Sequence, residues 1–169
     1  IKNESNKIIS TDKNVVIVEH KLGYINVNAG IDVSNIPNNK DQVLLLPENP
    51  TLSSDHICKE LSKKIQKNIS IIISDSMTRP YRAGVINFAL ASTNVPSLVD
   101  ITKQKDIYGN SFKCTEVAIA DELASAAGLI MGQGNEQKPV IIIKGFNKQN
   151  SSEFDASNLV VTEENDLYR

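Results

Sequence analysis

Three polar segments of the sequence, which we predict to be loops, interrupt apolar stretches, and their side chains are suited to binding a metal ion and a phosphate. Residues 28–35 contain Asp32, residues 74–82 contain Asp75, and the third segment is residues 132–135. Carboxylate oxygens are ligands that Mg²⁺ and Mn²⁺ prefer, and an ion that bridges phosphates commonly uses only one or two protein carboxylates. If the three segments converge in the fold, we expect a metal site built on Asp32 and Asp75.

Arginine and glycine residues of the same segments are suited to phosphate groups. Arg79 and Arg82 carry planar guanidinium groups that match phosphate or carboxylate oxygens. Gly132 and Gly134 allow backbone amides to approach a nucleotide closely. The sequence contains neither the GxxxxGK[ST] phosphate loop nor the GxGxxG dinucleotide motif. These residues therefore indicate phosphoryl chemistry without identifying a nucleotide-binding fold.

Each of these residues also has a purely structural interpretation, which the sequence leaves open. Asp32 is typical of a turn aspartate that bonds to nearby amides. Arg79 and Arg82 are typical of surface salt bridges, and Gly132 of a helix C-cap. Asp75 has the better functional case, because it follows an apolar stretch and ligands of open α/β sheets gather at the carboxyl ends of strands.

The apolar stretches predict the strands that position these segments. A hairpin around Gly23 is indicated by two apolar runs that flank a turn. The strands are predicted at residues 15–18, 24–27, 43–46, 69–73, 85–91 and 140–143. The runs at 43–46 and 140–143 are predicted to be buried strands. The run at 69–73, in which Ile71, Ile72 and Ile73 are consecutive, is typical of a strand buried on both faces.

Two helices are predicted between the strands. Ser53 and Ser54 are candidate caps for the first, in which Ile57, Leu61 and Ile65 recur every fourth residue and should face a sheet. The second is an alanine-rich helix over residues 115–131, ended by Gly132, whose small side chains favour close packing or a dimer interface. We therefore expect a mixed α/β (α+β) fold, with helices packed on mixed sheets in a single domain, residues 1–169.

Composition excludes several classes of protein. The chain has 169 residues, a net charge of −2 and 40% hydrophobic residues, with no basic stripe for nucleic acid and no apolar run long enough to span a membrane. Cys58, Cys114, His20 and His56 lack the spacing of a zinc site. We expect free thiols and a cytoplasmic protein.

At the three polar segments the sequence resembles the coenzyme F420:L-glutamate ligase family, in order along most of the chain. Residues 28–35 resemble NAG(V/I)DxSN, with LLP after them, and residues 72–82 resemble IISDTxGRPxR except that Thr78 replaces a glycine. Further matches are to DxYG at 106–109, to the ADELA helix at 120–124, to (L/V)MG at 130–132 and to the closing EEDLFR at 163–169.

This resemblance implies roles for particular residues. Asp32 and Asp75 would bind one divalent metal ion, and Ser76 and Gln133 a second. Asn35 would contact GTP. So would the segment 131–138, which comprises Met131, Gly132, Gln133, Gly134, Asn135, Glu136, Gln137 and Lys138. The implied ions are Mg²⁺ or Mn²⁺, with a place for K⁺.

The reaction that the resemblance implies is a GTP-dependent ligation of an acid to an amino acid. The γ-phosphate of GTP activates a carboxylate of coenzyme F420-0 as an acyl phosphate, and the amine of L-glutamate attacks it, with a γ-linked addition afterwards. The resemblance also implies an intertwined homodimer. From the residues themselves we add the hypothesis that Arg79 and Arg82 are catalytic, binding substrate phosphate or the charge that develops on it.

One part of the family pattern has no counterpart in this sequence. The family's N-terminal LPxI loop and SK-containing strand also contact GTP, so the chain is expected to be a ligase core with part of the GTP pocket. Two alternatives remain. One is a non-catalytic or differently specific binding module of the same fold, and the other is a metal-dependent phosphohydrolase that uses Asp32 and Asp75 without an amine acceptor.

Overall fold

The structure is a computed structural model that describes residues 1–12, 15–36, 42–147 and 154–168. Arg169 of the closing motif lies outside the described residues. The strands are β1 (Ser5–Asp12), β2 (Val15–His20), β3 (Ile25–Val27), β4 (Ile71–Arg79), β5 (Arg82–Thr93), β6 (Val99–Asp100) and β7 (Glu116–Val117). The helices are α1 (Pro50–Ile65) and α2 (Ile119–Met131), with short 3₁₀ turns at Lys2–Glu4, Asn28–Gly30 and Ala156–Leu159.

The first sheet contains the predicted hairpin and one strand that was not predicted. β2 and β3 pair antiparallel around Gly23, whose φ of +90° suits a residue without a Cβ. β1 pairs with the other edge of β2. Its sequence is largely polar because nearly all of its residues are exposed, so no apolar alternation marks it as a strand.

A long antiparallel hairpin, β4 and β5, is the centre of the fold. β5 confirms the strand predicted at residues 85–91 and extends beyond it at both ends. The interpretation of residues 74–82 as a loop is wrong for most of that segment. β4 continues through Asp75 and Ser76 to Arg79, and only Pro80 and Tyr81 form the turn. Pairing with β5 satisfies the backbone of these polar residues, so they need no loop.

Helix α1 packs on the β4–β5 hairpin as predicted, but with another face. Asn49 caps it by accepting a hydrogen bond from the Leu52 amide at 2.9 Å, and Pro50 occupies the first turn, so Ser53 and Ser54 lie inside the helix.

The face of α1 that is buried is small and polar. Cys58 and Ser54 lie against the sheet, and the Ser54 hydroxyl bonds the Thr93 hydroxyl at 2.6 Å. The predicted contact face, Ile57, Leu61 and Ile65, is exposed. Hydrogen bonding by Ser54 orients the helix, and the apolar stripe lies away from the sheet as a result.

Helix α2 packs its small residues against β5. Ala120 and Ala124 are buried, and Ala120 contacts Ala89 of β5. The helix begins at Ile119 rather than at residue 115, because residues 116–117 pair with β6. Its end at Gly132 is confirmed: φ is +81° there and the Gly132 amide bonds the Gly128 carbonyl.

The buried strands predicted at residues 43–46 and 140–143 are wrong. Leu44 makes an isolated bridge to Asp32, and Leu44 and Leu45 are each 53% exposed. Val140 and Ile142 are each 77% exposed and belong to no strand among the described residues. An apolar run forms a strand only where a neighbouring strand takes its backbone hydrogen bonds.

The hydrophobic core lies on both faces of β5. On one face Phe88 and Leu90 pack with Tyr24, and the Tyr24 ring meets Phe88 edge-on at 5.4 Å. On the other face Ala89 packs with α2. Small antiparallel sheets with two packed helices confirm the mixed α+β class. None of the helices in the described ranges is long and apolar enough to cross a membrane.

Candidate active site

Asp32 lies on a loop whose backbone is held in an uncommon conformation. Asn28, Ala29 and Gly30 all have φ between +51° and +62°. For Ala29, whose Cβ disfavours this region, that costs about 1 kcal/mol. Glycine is required at position 30 for two reasons: its φ is positive, and a Cβ there would lie 3.0 Å from the Leu46 side chain. Strain of this kind concentrates at binding sites, where the surrounding structure holds a side chain in place.

The Asp32 carboxylate makes a turn and remains largely open to solvent. Its Oδ1 accepts a hydrogen bond from the Ser34 amide at 2.7 Å, and bonding to Ser34 lowers the pKa of Asp32. Its backbone is fixed by a two-way bridge to Leu44 at 3.1 and 2.8 Å. The turn interpretation and the ligand interpretation are compatible, because the carboxylate that accepts the turn hydrogen bond stays exposed.

Asp75 lies in β4 opposite Phe88, and so on the hairpin face that packs on the first sheet. Burial raises the pKa of Asp75, bonding to the Ser76 amide and to Asn26 lowers it, and the charge of Asp32 raises it. The two predicted ligands are therefore close enough to interact electrostatically. A divalent cation would relieve the repulsion between the two carboxylates, so Asp32 and Asp75 suit such an ion. Among the described residues, no group of three or more His, Cys, Asp or Glu side chains is placed to hold a metal ion.

Asn26 is a site residue that the sequence analysis missed. It is 5% exposed in β3, and its amide nitrogen faces the Asp75 carboxylate closely enough to lower the pKa of that group. The same nitrogen has no partner at hydrogen-bonding geometry among the described residues. Its Oδ1 accepts from the Val27 amide at 2.7 Å. The available signal was a polar residue at the inward position of a short strand.

Ser76 and Gln133 lie on the opposite face of the hairpin from Asp75. Ser76 is paired across the ladder with Asn87, and neighbouring strand residues point to opposite faces. The Gln133 Nε2 donates to the Asn87 Oδ1 at 2.6 Å. Asn87 therefore connects the two residues predicted to hold a second ion, and the sequence analysis missed it as well.

The first and third polar segments meet directly. The Asn35 side-chain Nδ2 donates to the Gly134 carbonyl at 3.4 Å, a contact between residues 99 positions apart. The Gly134 amide of the third segment donates to the carboxylate of Glu136, which directly follows that segment, at 2.9 Å, and this lowers the pKa of Glu136. The Glu136 carboxylate occupies the space that a Cβ at Gly132 would fill, and the φ of +81° at Gly132 also favours glycine there. The loop thus already binds one anionic group through its amides.

The remaining predicted GTP contacts lie in the same segment. Met131 ends α2 with its sulfur 3.8 Å from the Asn87 Nδ2. Asn135, Gln137 and Lys138 are exposed and follow the glycine loop. Gly134 is the residue of this range that the structure shows in contact with Asn35.

Arg79 and Arg82 are separated from the two carboxylates. They face each other across the tip of the β4–β5 hairpin, and four strand residues, about 13 Å, separate Arg79 from Asp75. Arg79 donates to the Ala83 carbonyl at 3.2 Å, and its Nε finds no hydrogen-bond partner in the part of the chain that the structure describes. No described carboxylate pairs with either guanidinium, so the surface salt bridges considered from the sequence are absent from the described residues.

The sequence profile of the F420-0:Gamma-glutamyl ligase family matches residues 1–145. The chain belongs to this family. The matched range includes the motifs around Asp32, Asp75 and Gln133 that resemble this family.

Curated relatives of this ligase family extend the match. The chain is 42% identical over 147 residues to a coenzyme F420:L-glutamate ligase of Methanocaldococcus jannaschii, covering 87% of this chain and 58% of the relative. It is 37% identical over 173 residues to the Methanococcus maripaludis (strain C7) ligase, covering 100% and 66%. Identity to the Archaeoglobus fulgidus ligase is 31% over 166 residues, covering 98% and 65%. The chain thus spans about 60% of the length of these relatives.

Proposed function

We propose that the chain is the core of a GTP- and divalent-metal-dependent ligase that adds L-glutamate to coenzyme F420-0. The observation that carries the proposal is the proximity of the Asp32 and Asp75 carboxylates, which is close enough for the charge of Asp32 to raise the pKa of Asp75. The loop that carries Asp32 also contacts the third polar segment, through Asn35 and Gly134. The names of the relatives supply the substrates of those proteins, coenzyme F420 and L-glutamate.

The residues of the site divide into metal ligands and nucleotide contacts. Asp32 and Asp75 would hold one ion, and Ser76 and Gln133 a second; Mg²⁺ or Mn²⁺ fits these oxygen ligands, with K⁺ as a further ion. When bound, such ions offset the charge of the transferring phosphoryl group. Asn35 and residues 131–138 would bind GTP, with the glycine-loop amides directed at its phosphates as they now are at Glu136.

The reaction proceeds in two displacements. A carboxylate oxygen of coenzyme F420-0 attacks the γ-phosphorus, and the bond to the β-phosphate oxygen breaks to leave GDP and an acyl phosphate. The glutamate amine then attacks the acyl carbon and displaces phosphate, with loss of a proton, to form the amide. The chain's own residues hold and orient the reactants, since neither step needs a covalent enzyme nucleophile.

Arg79 and Arg82 support an anion site at the hairpin tip. Two cations directly opposite each other across a ladder repel, and the described residues provide no carboxylate to offset them. A phosphate or carboxylate of the substrate would relieve that repulsion. Replacing either arginine by alanine is expected to lower GTP-dependent glutamylation at least tenfold, and undiminished turnover in both variants would rule out this role.

A second copy of the chain is part of the proposal. The stripe formed by Ile57, Leu61 and Ile65 is 40–50% exposed, and Val140 and Ile142 are more exposed still. Exposed apolar surface of this extent is typical of an interface. Light scattering at several concentrations should give the mass of a homodimer, and a concentration-independent monomer would contradict this assignment.

Omission of single substrates tests the ligase activity. We expect GDP to form only when coenzyme F420-0 and L-glutamate are both present with Mn²⁺, together with an F420 product heavier by one glutamate. GDP formation without glutamate would indicate the phosphohydrolase, and no GDP formation under any condition would indicate the binding module. Asp75→Asn should abolish turnover, whereas Asp100→Asn, which removes an exposed carboxylate bonded to Thr102, should not.

A further inference from the structure

Asn87 is buried in β5 next to the third polar segment. Both polar atoms of its side chain and its backbone carbonyl make hydrogen bonds. The residue is 5% exposed. Its Oδ1 accepts from the Gln133 Nε2 at 2.6 Å, and its Nδ2 lies 3.8 Å from the Met131 sulfur. Its backbone carbonyl accepts from the Ser125 hydroxyl at 2.7 Å. One residue of the strand therefore contacts the last turns of α2 and the loop that follows.

The Asn87 side chain has no room to rotate. A Cβ at Gly128 of α2 would lie 2.8 Å from the Asn87 Cγ, so the helix backbone already rests on the amide group. The contact with Met131 decides which way the amide is turned, because the Met131 sulfur can accept a hydrogen bond but has no hydrogen to donate. The Asn87 nitrogen therefore faces Met131, and its oxygen faces Gln133.

This orientation determines which atom of Gln133 is available to a ligand. The Gln133 Nε2 is engaged by Asn87, and within the described part of the chain no residue donates a hydrogen bond to the Gln133 Oε1, although the side chain is exposed. An amide oxygen is a ligand for Mg²⁺ or Mn²⁺, and an amide nitrogen is not. Holding the nitrogen therefore presents the side chain in the one orientation that can coordinate.

We propose that Asn87 is a positioning residue that fixes the Gln133 side chain with its carbonyl oxygen free, and so sets the affinity of the site for a metal–nucleotide complex. This inference rests on the proposed function, in which Gln133 binds the second ion. The residue acts through Gln133 and touches no reactant itself. Its effect is confined to the face of the hairpin that carries Ser76, because Asp75 points to the other face.

The positioning role is tested first without any substrate, by NMR of the Gln133 side-chain amide. In the wild-type protein we expect its protons to exchange with water about three- to tenfold more slowly than in Asn87→Ala or Asn87→Leu, which is the effect of one neutral hydrogen bond. Asn87→Asp retains an oxygen acceptor and should preserve slow exchange. Leucine keeps the branched shape of asparagine but is larger, whereas alanine is smaller, so the two variants change the packing in opposite directions and the test does not depend on the folding of either one alone.

The consequence for binding is measured with Mn²⁺ and a non-hydrolysable GTP analogue. Asn87→Leu should weaken binding of the complex about three- to tenfold and raise KM for GTP by the same factor, with kcat changed less. Ser125→Ala is the matched control, since it removes a bond to the same residue but leaves the amide in place, and it should bind like the wild type.

Two results would overturn the inference. One is an exchange rate of the Gln133 side-chain amide protons that is unchanged in Asn87→Leu. The other is a loss of binding in Ser125→Ala as large as the loss in Asn87→Leu. A wild-type protein that binds Mn²⁺ and the analogue but makes no glutamylated product would refute the proposed reaction instead, and the NMR result would still stand.

Discussion

Gly128→Ala should destabilise this protein, although the same change in an ordinary helix stabilises it. Inside a helix, alanine is favoured over glycine by about 0.5–1 kcal/mol. At Gly128 the added Cβ would lie 2.8 Å from the Asn87 Cγ and about 3.0 Å from its Oδ1. Carbon atoms pack at about 3.5 Å or more, so the helix or Asn87 must move by about 0.7 Å.

The expected size follows from these opposing effects. Overpacking of a buried side chain costs about 1–3 kcal/mol, which outweighs the gain in helix propensity and leaves a net loss of about 1 kcal/mol. For a chain of this length that corresponds to a fall in Tm of about 2–4 °C. Urea unfolding followed by circular dichroism measures the loss of free energy directly.

A double-mutant cycle isolates the cause. In an Asn87→Ala background the space at Gly128 is open, so the added methyl group should stabilise by about 0.5–1 kcal/mol. The coupling between the two changes should then be about 1–2 kcal/mol. If Gly128→Ala raises Tm in the wild-type background, or if its effect is the same in both backgrounds, the contact between α2 and Asn87 does not constrain the site as argued.

Two further predictions concern titratable groups. Burial and the nearby Asp32 raise the pKa of Asp75, so its carboxylate lowers stability as pH rises through that pKa. Asp75→Asn should therefore raise Tm in EDTA at pH 7 and make the Mn²⁺-dependent rise in Tm smaller. A rise with Mn²⁺ as large as that of the wild type would exclude Asp75 as a ligand. Burial raises the pKa of Tyr24 to about 12 from 10.0, so stability should fall between about pH 10 and 12, and less in Tyr24→Phe. Absorbance titration that shows Tyr24 ionising with the exposed tyrosines would contradict this.

Local chemistry predicted the turns and the helix end better than the faces of the elements. Gly23 and Gly132 were identified because only a positive φ fits those positions, and both have one. The face of α1 could not be predicted from its apolar spacing, because Ser54 bonds to Thr93 of β5 and Cys58 donates to the Ile69 carbonyl, just before β4. A hydrophobic stripe indicates a buried face only when no partner competes for the polar one.

Pairing partners account for the errors in the strands. Residues 140–143 have the composition of a core strand, but no described strand pairs with them. β1 has a polar composition yet pairs along most of β2, because backbone hydrogen bonds do not depend on the side chains. Sequence patterns report burial, and in this chain burial and strand pairing do not coincide.

The candidate site shows the same limit. Asp32 and Asp75 were predicted from the sequence because carboxylates suit ions, and Gln133 through the resemblance to the family. Asn26 and Asn87 were missed because buried asparagines carry no motif. Each missed residue lies next to one of the predicted ligands, Asn26 beside Asp75 and Asn87 beside Gln133.

The alternation of a β-strand determines how the proposed metal ligands are divided. Asp75 and Ser76 are consecutive in β4, so one points toward β3 and Asp32 while the other points toward α2 and Asn87. Two ions bound by these residues would therefore lie on either side of one strand, each with its own supporting asparagine. Changes at Asn26 should then act on the Asp32–Asp75 pair and changes at Asn87 on Gln133, and only a displacement of β4 itself would affect both.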